Sequence, residues 1–330
     1  MWGRLRHWLL VRTEAPSVGR ALRYMAEYAA LRAWCLVIGC FPIETNLATA
    51  RLLGRLWWLL TKRHRDRAMD NLRRALGNSY DERRLRSIAR RSFEHFAQVY
   101  LVEMIVTPRI INPWSWARHV RLDDLGPALR ELMSARGVIM LTAHFGNYEL
   151  LGFTLARLGL PLVAVMRPLD NPLLNRYLMA AREAGGLALL YKRGATQTAD
   201  SILRTGGTLC YIADQDAGRK GLFVQFFGRP ASTYKSIGLL AARHEVPVVV
   251  GSAIRVGRGL HYRISVQRII RPEEWRGRDD ARTWVTQAFS DALEAAIREA
   301  PEQYLWVHRR WKHQPGTARR RREQVGAEGG

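Results

Sequence analysis

The chain has 330 residues, 48% of them hydrophobic and 25% charged, a composition that can build a sizeable core and excludes a disordered polymer. Its 52 Lys plus Arg against 29 Asp plus Glu leave a formal charge of +23, an excess that calls for an anionic partner or surface. The three cysteines, Cys35, Cys40 and Cys210, form no Cys-x-x-Cys pair and sit in apolar stretches, which argues against a disulfide or metal framework and for reduced thiols in a cytoplasmic setting.

Phosphates of nucleic acid and the headgroups of an anionic membrane both answer such a field. The 11 Trp and 11 Tyr favour the membrane, because their amphipathic rings suit the headgroup layer. The N-terminus shows no uninterrupted apolar region followed by a small-residue cleavage site, so export is not expected. The apolar run from Ala33 to Ile43 contains Pro42 and is too short to span a bilayer. Two readings stay open for this region: a helical hairpin dipping into one leaflet, with arms Ala29–Phe41 and Leu47–Leu60, or two ordinary core helices.

Further along, Ala68, Met69, Leu72, Ala75 and Leu76 share one helical face. Ser79 and Glu82 have the spacing of a capping box, ahead of a helix carrying Leu85, Ile88, Ala89, Phe93, Phe96, Ala97, Tyr100, Leu101 and Met104 at helical period. From Gly137 the pattern changes to short apolar runs, Val138–Ala143, Leu162–Met166, Leu187–Tyr191, Thr208–Ala213 and Val246–Ile254, with amphipathic segments between them. This alternation predicts an α/β fold with a largely parallel central sheet flanked by helices. His261–Ile270 is expected to extend the sheet at one edge and Trp284–Ile297 to close the fold as a helix. Residues 1–65 are read as a membrane-associating helical region, 66–313 as the α/β domain, and 314–330 as a basic disordered tail.

Sites in open parallel sheets lie outside the carboxyl ends of the strands. The residues that follow the runs are therefore informative: His144 through Glu149, Arg167, Lys192 with Arg193, and Asp214, Gln215 and Asp216. His-x4-Glu alone is a weak signal, and His119 with Asp124 matches the same spacing by chance, with no buried strand leading into it. His144 has a strand before it, Gly146 to permit a tight turn, and an apolar helix after it. If His144 lies in the turn and Glu149 in the first helical turn, the carboxylate is able to orient the imidazole as a general base. No His/Cys/carboxylate cluster has metal-ligand spacing, and no Gly-x-Gly-x-x-Gly, P-loop or Gly-x-Ser-x-Gly elbow is present, so neither metal nor cofactor is expected.

Five stretches carry a family resemblance from about residue 20 to Lys312: Arg67-Ala-Met-Asp-Asn-Leu72; Gly137 to Leu150, with its His-Phe-Gly-Asn-Tyr-Glu core; Asp214-Gln-Asp-Ala-Gly218; Phe223 to Ala231 with Thr233; and Pro301 to Arg310. Together they resemble the late acyltransferases of lipid A biosynthesis, within the lysophospholipid acyltransferase superfamily. The resemblance implies His144 as general base with Glu149 as its carboxylate, an acyl group delivered by acyl carrier protein, a lipid A precursor as acceptor, and work at the cytoplasmic face of the inner membrane. It also implies substrate contacts from Asn147, Arg167, Arg182, Asp214, Gln215 and Asp216. For the two arginines a plain salt-bridge role stays open, and for the two aspartates a loop-organising one. Tyr148 departs from the pattern, standing where Trp is frequent, and the Arg-rich tail is longer than expected. Other members acylate mannosylated phosphoinositides, so a different glycolipid acceptor is the first alternative and a nucleic-acid-binding protein the second.

Overall fold

The computed structural model describes residues 2–191 and 195–315. Lys192 and Arg193, and nearly all of the expected disordered tail, lie outside these residues. The first hundred residues form helices α1 (Trp2–Thr13), α2 (Val18–Gly39), α3 (Ile43–Leu60), α4 (Lys62–Leu76) and α5 (Glu82–Gln98). Pro42 supplies the break between α2 and α3, but these helices do not pair as a hairpin. The α3 helix packs on α5, and α2 packs on α1 and on a later helix. Gly54 allows the approach, since a Cβ there would lie 2.6 Å from the Glu94 Cα. The α5 helix is capped by Asp81, whose carboxylate accepts from the Arg84 N–H at 2.7 Å. Ser79 is not the cap, because it lies in the turn closing α4, and Glu82 turns to Arg73 instead of back along the chain.

After α5 comes one wide turn, Val99–Glu103, then α6 (Met104–Ile110), β1 (Val120–Asp123), α7 (Gly126–Leu132), β2 (Val138–Thr142) and α8 (Tyr148–Arg157). The chain continues through β3 (Leu162–Met166), α9 (Pro172–Ala184), β4 (Ala188–Tyr191), α10 (Ala195–Arg204) and β5 (Thr208–Ile212). A separate antiparallel hairpin, β6 (Leu222–Phe226) and β7 (Arg229–Thr233), precedes α11 (Lys235–His244), β8 (Val248–Arg255), β9 (Tyr262–Ile270) and α12 (Ala281–Glu299).

The sheet runs β1-β9-β8-β2-β5-β3-β4. The five strands β8, β2, β5, β3 and β4 are mutually parallel, as the alternating pattern predicts, while β9 runs antiparallel to β8. The expected edge strand is not at the edge: β1 pairs outside it, a strand of only four residues that gave little periodic signal. Central β2 is buried along its whole length, as a strand covered on both faces must be. Helices cover both faces. One core joins Ile139 and Leu141 to Leu72, Ile88 and Phe289, and the other joins Met140 to Leu47, Ala50 and Leu150.

Most of the apolar stretch in α2 and α3 is only partly used by these cores. Leu47, Ala50 and Trp58 are buried, but Leu36, Phe41, Leu52, Leu59 and Leu60 point outward, Leu60 at 79% exposure. Among the described residues no helix is long and apolar enough to cross a membrane.

Candidate active site

The β2 and β5 strands are neighbours in parallel register, with Thr142 opposite Ile212. Two residues further along each strand, His144 and Asp214 therefore fall side by side. His144 Nδ1 donates to Asp214 Oδ1 at 2.8 Å, and this hydrogen bond is nearly dry, with the two side chains 12% and 0% exposed. Burial alone raises a carboxyl pKa. The charge and hydrogen bond of His144, with His308 behind it, outweigh burial and hold Asp214 well below the usual carboxylate range. When the ring is neutral, an ionised Asp214 fixes its proton on Nδ1 and leaves Nε2 as the acceptor.

Nε2 faces Gln215, whose side-chain amide stands 3.4 Å from it and 3.2 Å from His308 Nε2. The ring of His308 lies edge-on to His144 with centroids 5.0 Å apart. Burial pushes the His308 pKa down, and the nearby His144, Arg310 and Arg67 add to the fall against the pull of Asp214. Tyr148 closes another side of His144, at 5.1 Å between ring centroids. Its phenol is pushed well above its ordinary range, first by burial and then by Tyr100 and Glu149.

The observed partner of His144 is thus Asp214, and the expected pairing with Glu149 is not formed. Glu149 sits in the first turn of α8, where a carboxylate suits the helix dipole. Both its oxygens are taken by Arg182 from α9. Arg182 Nε donates to Oε2 at 2.9 Å, and its Nη2 donates to Oε1. Such a bidentate fork satisfies the carboxylate more fully than an imidazole does. The pair forms one wall of an apolar cavity of about 240 Å³ between the sheet, at Met140, Ala164 and Cys210, and α8, at Leu151 and Gly152.

Asn147, an expected substrate contact, turns its side chain into the protein. It is fully buried; its Oδ1 caps α8 by accepting from the Leu150 N–H, and its Nδ2 donates to Glu103 Oε2 at 2.7 Å. Glu103, itself fully buried, also accepts from Tyr262 Oη at 2.5 Å and from Arg255. Arg167 lies far out in solvent at 80% exposure, paired with Asp170 at 3.2 Å. Asp216 orders its own loop by accepting from the Gly218 N–H and from His313 Nδ1 at 2.6 Å. Of the expected site residues, the structure gathers His144, Asp214 and Gln215 at one point, with Glu149 and Arg182 on the adjoining cavity wall. Sequence reasoning passed over His308, although it lies in one of the five stretches; its signal is adjacency to Arg309 and Arg310 after a buried Trp, which says nothing of its neighbour across the fold.

The loop that carries His144 is stitched down by its backbone. Gly146 N–H donates to Gln303 O, Asn147 N–H to Ala253 O, and Leu305 N–H to His144 O. The Gly146 carbonyl accepts from His95 Nε2 at 3.0 Å; burial, helped by Arg255, lowers the His95 pKa to about 3, so it is neutral there. Gly146 has φ +56°, and a Cβ on it would run into the Ala253 carbonyl oxygen. Gly146→Ala is therefore expected to cost at least about 2 kcal/mol, from left-handed backbone strain and the clash together, measured by denaturant unfolding. A wild-type midpoint would show that the loop relaxes freely.

A profile of the bacterial lipid A biosynthesis acyltransferases matches residues 15–313. A lipid A biosynthesis palmitoleoyltransferase of Escherichia coli K12 is 28% identical over 196 residues, 59% of this chain and 62% of the relative. A lipid A biosynthesis lauroyltransferase of the same organism is 30% identical over 185 residues, 54% of this chain and 58% of the relative. A phosphatidylinositol mannoside acyltransferase of Mycolicibacterium smegmatis is 25% identical over 196 residues, covering 58% and 61%. The chain thus aligns with about three-fifths of the length of these relatives. With the profile spanning nearly all of the described residues, the chain belongs to the bacterial lipid A biosynthesis acyltransferase family.

Proposed function

We propose that this protein transfers a fatty acyl group from a thioester, carried by acyl carrier protein, to a hydroxyl of a lipid A precursor, with His144 as general base and Asp214 as its orienting carboxylate. The observation that carries this reading is the 2.8 Å hydrogen bond of His144 Nδ1 to a buried, ionised Asp214, beside an apolar cavity, in a chain of this family.

The acceptor hydroxyl takes the position next to His144 Nε2 that Gln215 now holds. Its oxygen attacks the thioester carbonyl carbon as its proton passes to Nε2, and Asp214 stabilises the imidazolium so formed. The tetrahedral intermediate collapses by breaking the carbon–sulfur bond. The thiolate leaves with the proton returned by His144, and an ester and a thiol remain. The cavity walled by Leu151, Gly152 and Ala164 offers apolar surface to the acyl chain, while the Glu149–Arg182 pair holds α8 and α9 together across it.

The outward Leu36, Phe41, Leu52, Leu59 and Leu60, set among the arginines of the first helices, support docking on an anionic membrane face, and the cytoplasmic face of the inner membrane is the proposed location. Among acceptors, the mycobacterial relative keeps a mannosylated phosphoinositide as the second reading. Mass spectrometry of purified protein with an acyl-carrier thioester and each glycolipid separates the two. Ester formed only on the lipid A precursor is the expected result; ester only on the mannoside replaces the acceptor, and no ester on either overturns the reading.

A further inference from the structure

We infer that Arg63, Arg67 and Arg309 form a subsite for a phosphate ester carried by one of the two substrates, next to His308 and one ring away from His144. This rests on the transferase reading for its place in a reaction, though not for its geometry.

Arg63, Arg67 and Asn71 follow one another at four-residue steps on one face of α4. That face is clamped to the segment carrying His308. Asn71 Nδ2 donates to the carbonyls of Trp306 at 2.8 Å and His308 at 2.7 Å. Arg67 Nη1 reaches the Val307 carbonyl at only 3.4 Å, leaving most of its donors unused. Arg309 follows His308 directly and is exposed.

The charge is uncompensated. The two acids of α4 that neighbour this face pair with other cations, Asp66 with Lys62 and Arg65, and Asp70 with Arg74. Among the described residues none of the three arginines has an acidic partner. Arg67 is half-buried, and its pKa is lowered by burial and then by Arg309 and Arg63, the mark of cations crowding one another. Guanidinium groups stay charged in proteins, so a bound anion would relieve the repulsion. A phosphate oxygen set is matched to several guanidinium forks at once. The half-buried position of Arg67, in the angle between α4 and the 306–309 segment, suits a small group better than the broad face of an acidic protein.

The test uses the full chain and the variants Arg67→Gln, Arg309→Gln and both together, with Arg309→Lys as the charge-keeping control. KM and kcat are measured for a glycolipid acceptor with and without its phosphate, and for a thioester donor with and without a phosphate ester on its arm. Inorganic phosphate is titrated calorimetrically in parallel. Losing one charge-assisted hydrogen bond predicts a roughly ten- to hundred-fold rise in KM for the phosphorylated substrate, with kcat changed less than about twofold. The unphosphorylated form keeps its wild-type KM, and Arg309→Lys recovers part of the loss, since it keeps the charge without the fork. The arm that shows the effect identifies the substrate. Unchanged KM ratios in both arms, with inorganic phosphate binding equally to wild type and the double variant, overturn the subsite. So does a loss that follows a carrier protein whether or not phosphate is present. If no acyl transfer occurs at all, the transferase reading fails, while the phosphate titration still decides the subsite.

Discussion

His144→Ala is expected to lower turnover by roughly 10² to 10⁴, the range for losing a general base, with the acceptor KM little changed. Asp214→Asn is expected to be nearly as damaging for a different reason. The side chain keeps its shape, but an amide N–H facing Nδ1 forces the imidazole proton onto Nε2, the atom proposed to accept from the hydroxyl. A wrong tautomer of this kind costs about 10⁴ in a serine-protease triad. In this chain the effect is sharpened by burial, because the Asp214 side chain is fully enclosed and its charge is shielded from bulk solvent. Steady-state kinetics on folded variants checks both values. Near-normal transfer by either variant would remove that residue from the chemistry.

The Glu149–Arg182 pair carries the second large effect. With side chains 18% and 19% exposed, it is mostly but not fully buried. Removing one partner of a fully buried pair costs about 3–5 kcal/mol, and residual solvent reduces the expectation here to roughly 1–3 kcal/mol for Glu149→Gln or Arg182→Gln. The double variant should be no less stable than the worse single one, since neither charge is then left unpaired. Turnover should fall in all three, because the pair joins α8 to α9 across the apolar cavity, but by less than in Asp214→Asn. Calorimetric melting and turnover of the three proteins test this. Additive losses of stability would mean that the two residues do not act as a pair.

Much of the fold was legible because the five parallel strands read as short apolar runs, with β2 and β8 buried along nearly their whole length. What the runs do not state is their order. His144 and Asp214 both lay on the expected rim, yet the partner chosen for His144 was Glu149, five residues away in sequence. Only the adjacency of β2 and β5, with Thr142 opposite Ile212, puts Asp214 first. The surroundings of Asn147 were hidden for a related reason. Its neighbours are catalytic candidates, but its side chain turns inward to Glu103, a residue 44 positions earlier whose burial no local pattern announces. The α2 and α3 region shows the converse case, since an apolar pattern fits a core helix and a membrane-facing helix equally. Leu47 and Ala50 took the first role while Leu52 and Leu59 were left outside. His308 was invisible as a site residue because its contact with His144 spans 164 positions and depends on the clamp from Asn71.

The most direct test of the central claim is a kinetic double-mutant cycle on His144→Ala and Asp214→Asn, with Glu149→Gln as the comparison arm. Residues that act as one unit are strongly non-additive. The His144/Asp214 double variant should therefore turn over within about threefold of the slower single variant, whereas the losses from His144→Ala and Glu149→Gln should multiply. Multiplied losses for His144 and Asp214, with non-additive ones for His144 and Glu149, would contradict the account and make Glu149 the partner of the base.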